Sequence, residues 1–175
     1  NETAWGLMKA LQVSEYHGLI KYRTIQNNFS MVNRRFEDAL AQVCRKEQVS
    51  LLPYSPLAGG VLSGKYNDNQ VPKNARFTKY LESGERQKKQ AHRFVNDKTL
   101  SSTAAFHKIA AEAGIHPIAM AVAWSKQHDF VASTLIGANT PEQLREILGG
   151  DELILSPEIL AKIDEVSKSI MYPMN

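Results

Sequence analysis

Between Leu51 and Tyr66 the sequence reads LLPYSPLAGGVLSGKY. A ring, a hydroxyl, three glycines and an ammonium follow one another closely. Tyr54 offers a flat face on which a planar ring can stack. Ser55, the backbone of Leu57 and the Lys65 ammonium can hold a pyrophosphate, and Gly59, Gly60 and Gly64 let the backbone approach it. Elsewhere, Asn1 and Gln26 can each donate to and accept from a carboxamide. Gly137 opens a turn into a helix whose first N–H groups form an anion site. Arg76 can reach a second phosphate.

These groups need elements that bring them together. VSLLPY, residues 49 to 54, is apolar on both alternations and is expected to form a buried strand. YRTIQ, residues 22 to 26, is short and β-branched and reads as another strand, as does ASTLIGA, residues 132 to 138. NETAWGLMKALQV reads as a helix capped by Asn1 or Thr3. In FEDALAQVCRKEQ, Phe36, Leu40, Val43 and Cys44 form one apolar helical stripe. A long irregular region from Ser55 to about Gly84 precedes a polar helix, as such loops are often functional. SSTAAFHKIAAEAG stops at Gly114, and PIAMAVAWSKQ starts on Pro117. TPEQLREIL and SPEILAKIDEVSKS each enter on a hydroxyl cap followed by proline. Strands alternating with helices imply an α/β fold with parallel strands. In such folds ligands bind beyond the C-terminal strand ends, and the chemistry-bearing residues follow the expected strands.

A planar ring with an amide, a pyrophosphate and an extra phosphate together describe NADPH. Each group also has a plain structural reading. Tyr54 can be a core aromatic, Ser55-Pro56 and Gly59-Gly60 a simple turn, and Thr140 with Gln143 a capping box. Their shared position after strands favours the ligand. Other chemistries find little support. The five histidines are scattered without metal-ligand spacing. Ser55 and Ser63 lack a nucleophile-elbow context. Cys44 lies on an apolar stripe and reads as a structural thiol.

The 175 residues are 43% hydrophobic and 22% charged, an ordinary globular composition. There is no apolar run of the ~18 residues that a membrane helix needs. A single cysteine and no secretory leader fit a cytoplasmic setting. The net charge of +3 suits an anionic ligand. GERQKKQAHR, residues 84 to 93, lacks the interleaved aromatics of a nucleic-acid platform and reads as a solvated helix face. No nucleic-acid or membrane partner is expected.

Four segments resemble the aldo-keto reductases, NADPH-dependent (β/α)8 barrels. They are most similar to the branch that holds the potassium-channel β-subunits and related bacterial and plant oxidoreductases. NETAWGL resembles the segment after barrel strand five, IQNNFSMVNR that after strand six, YSPLAGGVLSGKY that after strand seven and LIGANTPEQLREIL that after strand eight. The resemblance implies that Asn1 and Gln26 hold the nicotinamide carboxamide and that Tyr54 stacks on its ring. It implies that Ser55, Pro56, Leu57 and Lys65 line the pyrophosphate. Arg76, Gly137, Asn139, Gln143 and Glu146 would then surround the adenosine and its 2′-phosphate.

The family's catalytic Tyr, Asp, Lys and His lie in the first half of its barrel, and nothing here matches them. No catalytic residue or metal ligand is therefore expected in this chain. A complete barrel takes about 250 residues. Residues 1–175 are thus expected to be one domain, the C-terminal half of a TIM barrel, in need of the missing N-terminal half. Isolated, it would have open strand edges, an association hazard. The implied function is NADPH-dependent reduction of a small-molecule carbonyl substrate by the complete barrel, with this chain inactive alone. The alternatives are an NADPH-binding regulatory subunit and an inert truncated product.

Overall fold

A computed structural model describes residues 1–68 and 72–174. It contains the expected alternation of strands and helices. Helix α1 (Ala4–Tyr16) is followed by strand β1 (Thr24–Asn28), helix α2 (Leu40–Glu47) and strand β2 (Ser50–Tyr54). Then come α3 (Arg76–Leu81), α4 (Glu85–Phe94), α5 (Asp97–Glu112), α6 (Pro117–Lys126), α7 (Pro141–Leu148) and α8 (Pro157–Ser169). Among the described residues no helix is long and apolar enough to cross a membrane.

The sheet sets the frame. β1 and β2 pair in parallel from Thr24 opposite Ser50 to Asn28 opposite Tyr54. On the other side of β2, Val131 bridges Leu51 and Leu135 bridges Tyr54, again in parallel. The expected strand over 132–138 is therefore reduced to two bridges. Pro53 explains this, because it has no N–H to donate toward that neighbour. The N–H of Ala132 donates to Leu51 O and that of Leu135 to Pro53 O. The 131–135 segment thus carries one residue more than β2 over the same interval, as in a bulge.

β1 also starts two residues later than its sequence suggests. Ile25 points into the core beside Leu51, whereas Tyr22 stays exposed. The polar Asn27 belongs to the strand because its side chain continues the pairing. Its Oδ1 accepts the Glu2 N–H at 3.1 Å, and its Nδ2 donates to Glu2 O at 3.0 Å. The chain start is thereby fastened along the outer edge of β1.

The caps explain most helix starts. Thr3 accepts the Gly6 N–H, Thr140 that of Gln143 and Ser156 that of Ile159. α5 begins earlier than SSTAAFHKIAAEAG suggests, because Asn96 and Thr99 form a reciprocal capping box. The single helix expected over 36–48 is broken. Arg35–Glu37 forms a short 3₁₀ turn, and α2 begins only at Leu40. Within the long irregular region lie a 3₁₀ segment, Ala58–Ser63, and α3; residues 69–71 of it fall outside the described residues. Cys44 is buried as expected, and burial pushes its thiol up to about 11.

An aromatic box lies at the centre of the core. Phe29 stacks on Trp124 at 4.9 Å and meets Phe130 edge-on at 5.7 Å. The His128 ring fills the remaining space, stacked on Phe130 at 5.1 Å and edge-on to Trp124 at 4.7 Å. Arg34 covers the box, its guanidinium 5.1 Å from the Trp124 ring centre. It donates to Glu37, and to Asp164 of α8 at 2.6 Å. The loop after β1 is thus tied to the last helix.

His128 Nε2 is buried without a hydrogen-bond partner. Burial, and the nearby Arg34 charge, hold the imidazole below its usual pKa, against the smaller opposite pull of Glu37, Asp129 and Asp164. The unfolded chain therefore takes up a proton before the folded one does. This group's contribution is intact above about pH 6.5 and is lost as the pH falls below it. Urea unfolding at about pH 7.5 and 5.5 should show a drop in stability for the wild type. His128→Phe, which keeps the aromatic packing, should show a smaller drop. Equal drops would remove His128 as the cause.

Candidate functional site

The two paired strands and the 131–135 segment run in one direction, so the residues that follow them leave the sheet on one side. Tyr54, the last residue of β2, donates its hydroxyl to Asn1 Oδ1 at 2.6 Å. The backbone nitrogen of Asn1 in turn donates to Gln26 O at 2.7 Å. Asn1, Gln26 and Tyr54 therefore form one contact group, although Gln26 lies inside β1 rather than after it. The Tyr54 ring is half-buried, and the Gln26 side chain is exposed. Asn28, paired with Tyr54, carries a buried Oδ1 that has no partner. Such an orphan is expensive unless a ligand or water meets it. In the sequence Asn28 stands out only as part of the segment IQNNFSMVNR.

The chain then turns sharply. Ser55 and Ala58 both adopt positive φ, 58° and 50°, and Gly59 and Gly60 follow at 66° and 99°. Non-glycine residues rarely hold that conformation, and such strain often marks binding loops. The turn is closed by Ala58 N–H donating to Ser55 O at 2.8 Å and Gly60 N–H to Leu57 O at 2.9 Å. Pro56 is buried beneath it.

Two cations converge on the Gly59-Gly60 pair. The Lys65 ammonium lies 2.8 Å from where a Cβ on Gly60 would stand, and the Arg76 guanidinium 3.8 Å from the same point on Gly59. Burial, and then the Arg76 charge, lower the Lys65 pKa. Among the described residues, neither cation has a carboxylate within 4.0 Å. Arg76 also opens α3, the end of a helix that disfavours positive charge. Two like charges held together without a counter-ion are a favourable place for an anion.

The loop is supported from beneath by residues that the sequence reading passed over. The Phe77 ring packs against Gly59, and its N–H donates to the buried Tyr66 hydroxyl at 3.2 Å. His107 Nε2 sits 3.0 Å from Leu62 O. The signal for Phe77 and His107 is weak in sequence, because they come from α3 and α5, further along the chain.

The third group stands at the start of α7. Because Leu135 bridges Tyr54, Gly137 leaves the sheet close to Ser55. Gln143 Oε1 accepts the Asn139 N–H at 3.0 Å, and Thr140 Oγ1 accepts the Gln143 N–H at 3.3 Å. The Gln143 side chain thus reaches one residue past the cap that a capping box would serve. Glu146 is exposed one turn further along α7. Among the described residues, no hydrogen bond joins this group to the other two. The site is open rather than enclosed. Two clefts of about 390 and 270 Å³ lie elsewhere and include none of these twelve residues. Among the described residues no cluster of His, Cys, Asp or Glu could hold a metal.

The model of the aldo/keto reductase family matches residues 1–168. Protein tas of Escherichia coli is 39% identical over 173 residues, 99% of this chain but 48% of that protein. A putative voltage-gated potassium channel subunit beta of Schizosaccharomyces pombe is 32% identical over 170 residues, 94% of this chain and 47% of its own length. An aldo-keto reductase of Babesia bovis is 30% identical over 154 residues, 83% of this chain and 50% of its own length. The chain thus spans about half the length of the curated relatives it matches.

Gly59 and Gly114 share the same φ, 66° and 65°, but a Cβ on Gly59 would meet the Phe77 ring at 2.7 Å while one on Gly114 meets nothing within 4 Å. Gly114→Ala should cost about 1 kcal/mol for the left-handed backbone. Gly59→Ala should cost about 1–3 kcal/mol more, because Phe77 must move. Chemical denaturation compares the two, and equal losses would show that Phe77 does not hold the loop.

Proposed function

The chain belongs to the aldo/keto reductase family, and from that membership we propose that the complete protein reduces aldehydes or ketones with NADPH. The observation that carries this reading is the convergence of Lys65 and Arg76 on Gly59-Gly60, one turn beyond Tyr54. The residues fit such a dinucleotide. The uncompensated cations suit phosphates, and the orphaned Asn28 Oδ1 and the amides of Asn1 and Gln26 suit a carboxamide. When bound, NADPH supplies the hydride that the carbonyl carbon receives.

In this reading Asn1 and Gln26 hold the carboxamide, and Tyr54 lies flat against the nicotinamide, its hydroxyl tethered to Asn1. Ser55, Pro56, Leu57 and Lys65 line the pyrophosphate. Arg76, Gly137, Asn139, Gln143 and Glu146 surround the adenosine and its 2′-phosphate. In this reading the proton donor for the carbonyl oxygen comes from the remainder of the protein.

The same reading makes residues 1–175 a single domain, the C-terminal half of a (β/α)8 barrel, with the N-terminal half as its partner. Large apolar residues are exposed on both flanks of the sheet. Trp5, Tyr16 and Ile20 are 73%, 86% and 97% exposed beside the β1 edge. Leu135, Ile136, Leu144 and Leu148 are exposed beyond the other. Free edges and apolar patches of this kind call for a cover. The other half of a barrel of the relatives' length supplies one. A cytoplasmic location fits this function.

A second reading has its own support, since relatives at 30–34% identity are named as probable or putative channel β-subunits. There the complete protein binds NADPH as a regulatory subunit and turns over little or no carbonyl substrate.

The complete protein should oxidise NADPH in the presence of an aldehyde, while the 175-residue chain alone should not. Binding without turnover by the complete protein would favour the regulatory reading. Arg76→Ala should weaken NADPH about 10- to 100-fold and NADH much less, the loss of one charge-assisted contact. Lys65→Met should weaken both alike. Equal losses for both dinucleotides in Arg76→Ala would remove the 2′-phosphate assignment.

A further inference from the structure

The positive charge of this chain is concentrated in one place. The α3–α4 hairpin, residues 76–94, holds six cations (Arg76, Lys79, Arg86, Lys88, Lys89 and Arg93) and two acids, Glu82 and Glu85. Its net charge of +4 exceeds the +3 of the whole chain, so the remaining residues together are slightly acidic. On α4, Ala91 and Phe94 are buried, whereas Arg86, Lys89 and Arg93 recur at helical spacing along the exposed face. Lys88 is the member paired with Glu85, at 3.3 Å. Among the described residues, Arg86, Lys89 and Arg93 have no carboxylate within 4.0 Å.

This face is coupled to the anion loop by packing. Phe94 of α4 stacks on Phe77 at 4.9 Å, and the Phe77 ring rests against Gly59. Two stacked rings therefore separate α4 from the point where Lys65 and Arg76 meet. Arg86, Lys89 and Arg93 lie on the exposed face of α4, turned away from Phe94 and so further from the loop than the rings, and they act on an approaching anion at low ionic strength, where the Debye length reaches about 30 Å at 0.01 M.

We propose that Arg86, Lys89 and Arg93 form an electrostatic capture surface that draws an anionic dinucleotide toward Lys65 and Arg76 and sets its association rate. This rests on the dinucleotide reading of the loop and adds the route by which the ligand arrives. Steering of this kind raises the on-rate, leaves the off-rate to the bound contacts and fades with salt. It favours the more highly charged ligand, so NADPH gains more than NADH, which lacks the 2′-phosphate.

Stopped-flow binding of NADPH and NADH to the complete protein tests this, with the wild type compared to Arg86→Gln/Lys89→Gln/Arg93→Gln. At low ionic strength the variant's NADPH on-rate should fall about tenfold, with the off-rate unchanged. The gap should be smaller for NADH and should close at high salt. Should the triple variant not fold, Arg86→Gln and Lys89→Gln singly should give partial losses with the same salt dependence. An unchanged on-rate at low salt, or a loss that persists at high salt, would overturn the capture surface while leaving the binding site intact. If the wild type binds neither dinucleotide, the reading of the site itself fails, and the capture surface fails with it.

Discussion

In a parallel sheet every strand ends on the same side, and the site in this chain depends on that constraint. β1, β2 and the 131–135 segment share a direction, and Tyr54 lies in register with Asn28 on one side and Leu135 on the other. The register decides what meets at the strand ends. A one-residue slip of β2 would turn Tyr54 toward the core and Pro53 outward. The apolar Ile25 and Leu51, buried together, prevent such a slip. Core packing therefore determines where the Tyr54 ring stands.

Beyond the strand ends, strain and charge are both held in place by the structure underneath. Positive φ at Ser55 and Ala58, and two cations beside Gly59-Gly60, are unfavourable taken singly. Phe77, Tyr66 and His107 hold the loop against them. A loop that keeps uncompensated charge and strained backbone in the free state is already arranged for an anion. Less ordering then remains to be done on binding, which is the usual benefit of a preformed site.

The element types were largely legible in the sequence, because caps and prolines mark them locally. Thr140-Pro141 and Ser156-Pro157 each start a helix, as read. What was not legible depended on distant partners. The extension of β1 past Gln26 follows from Asn27 pairing with Glu2, and the reduced third strand follows from the missing N–H of Pro53. In the site, Tyr54 and the glycine turn were readable because they are contiguous. The resemblance assigned Lys65 and Arg76 to different parts of one cofactor site, but their convergence on Gly59-Gly60 and the Tyr66 hydroxyl that anchors the start of α3 had no sequence signal. The orphaned Oδ1 of Asn28 likewise appears only once burial is known. The α4 charges read as a plain solvated face, and only the stacking of Phe94 on Phe77 shows that their helix packs next to the loop.

The most direct measurement of the central claim is a crystal structure of the complete protein with NADPH. The nicotinamide should lie on the Tyr54 ring, with its carboxamide toward Asn1, Gln26 and Asn28. The pyrophosphate should rest against Gly59-Gly60 and Lys65, and the 2′-phosphate should meet Arg76. A dinucleotide seated elsewhere, for example in the cleft between residues 31–38 and 164–173, with no phosphate at Lys65 or Arg76, would contradict the account.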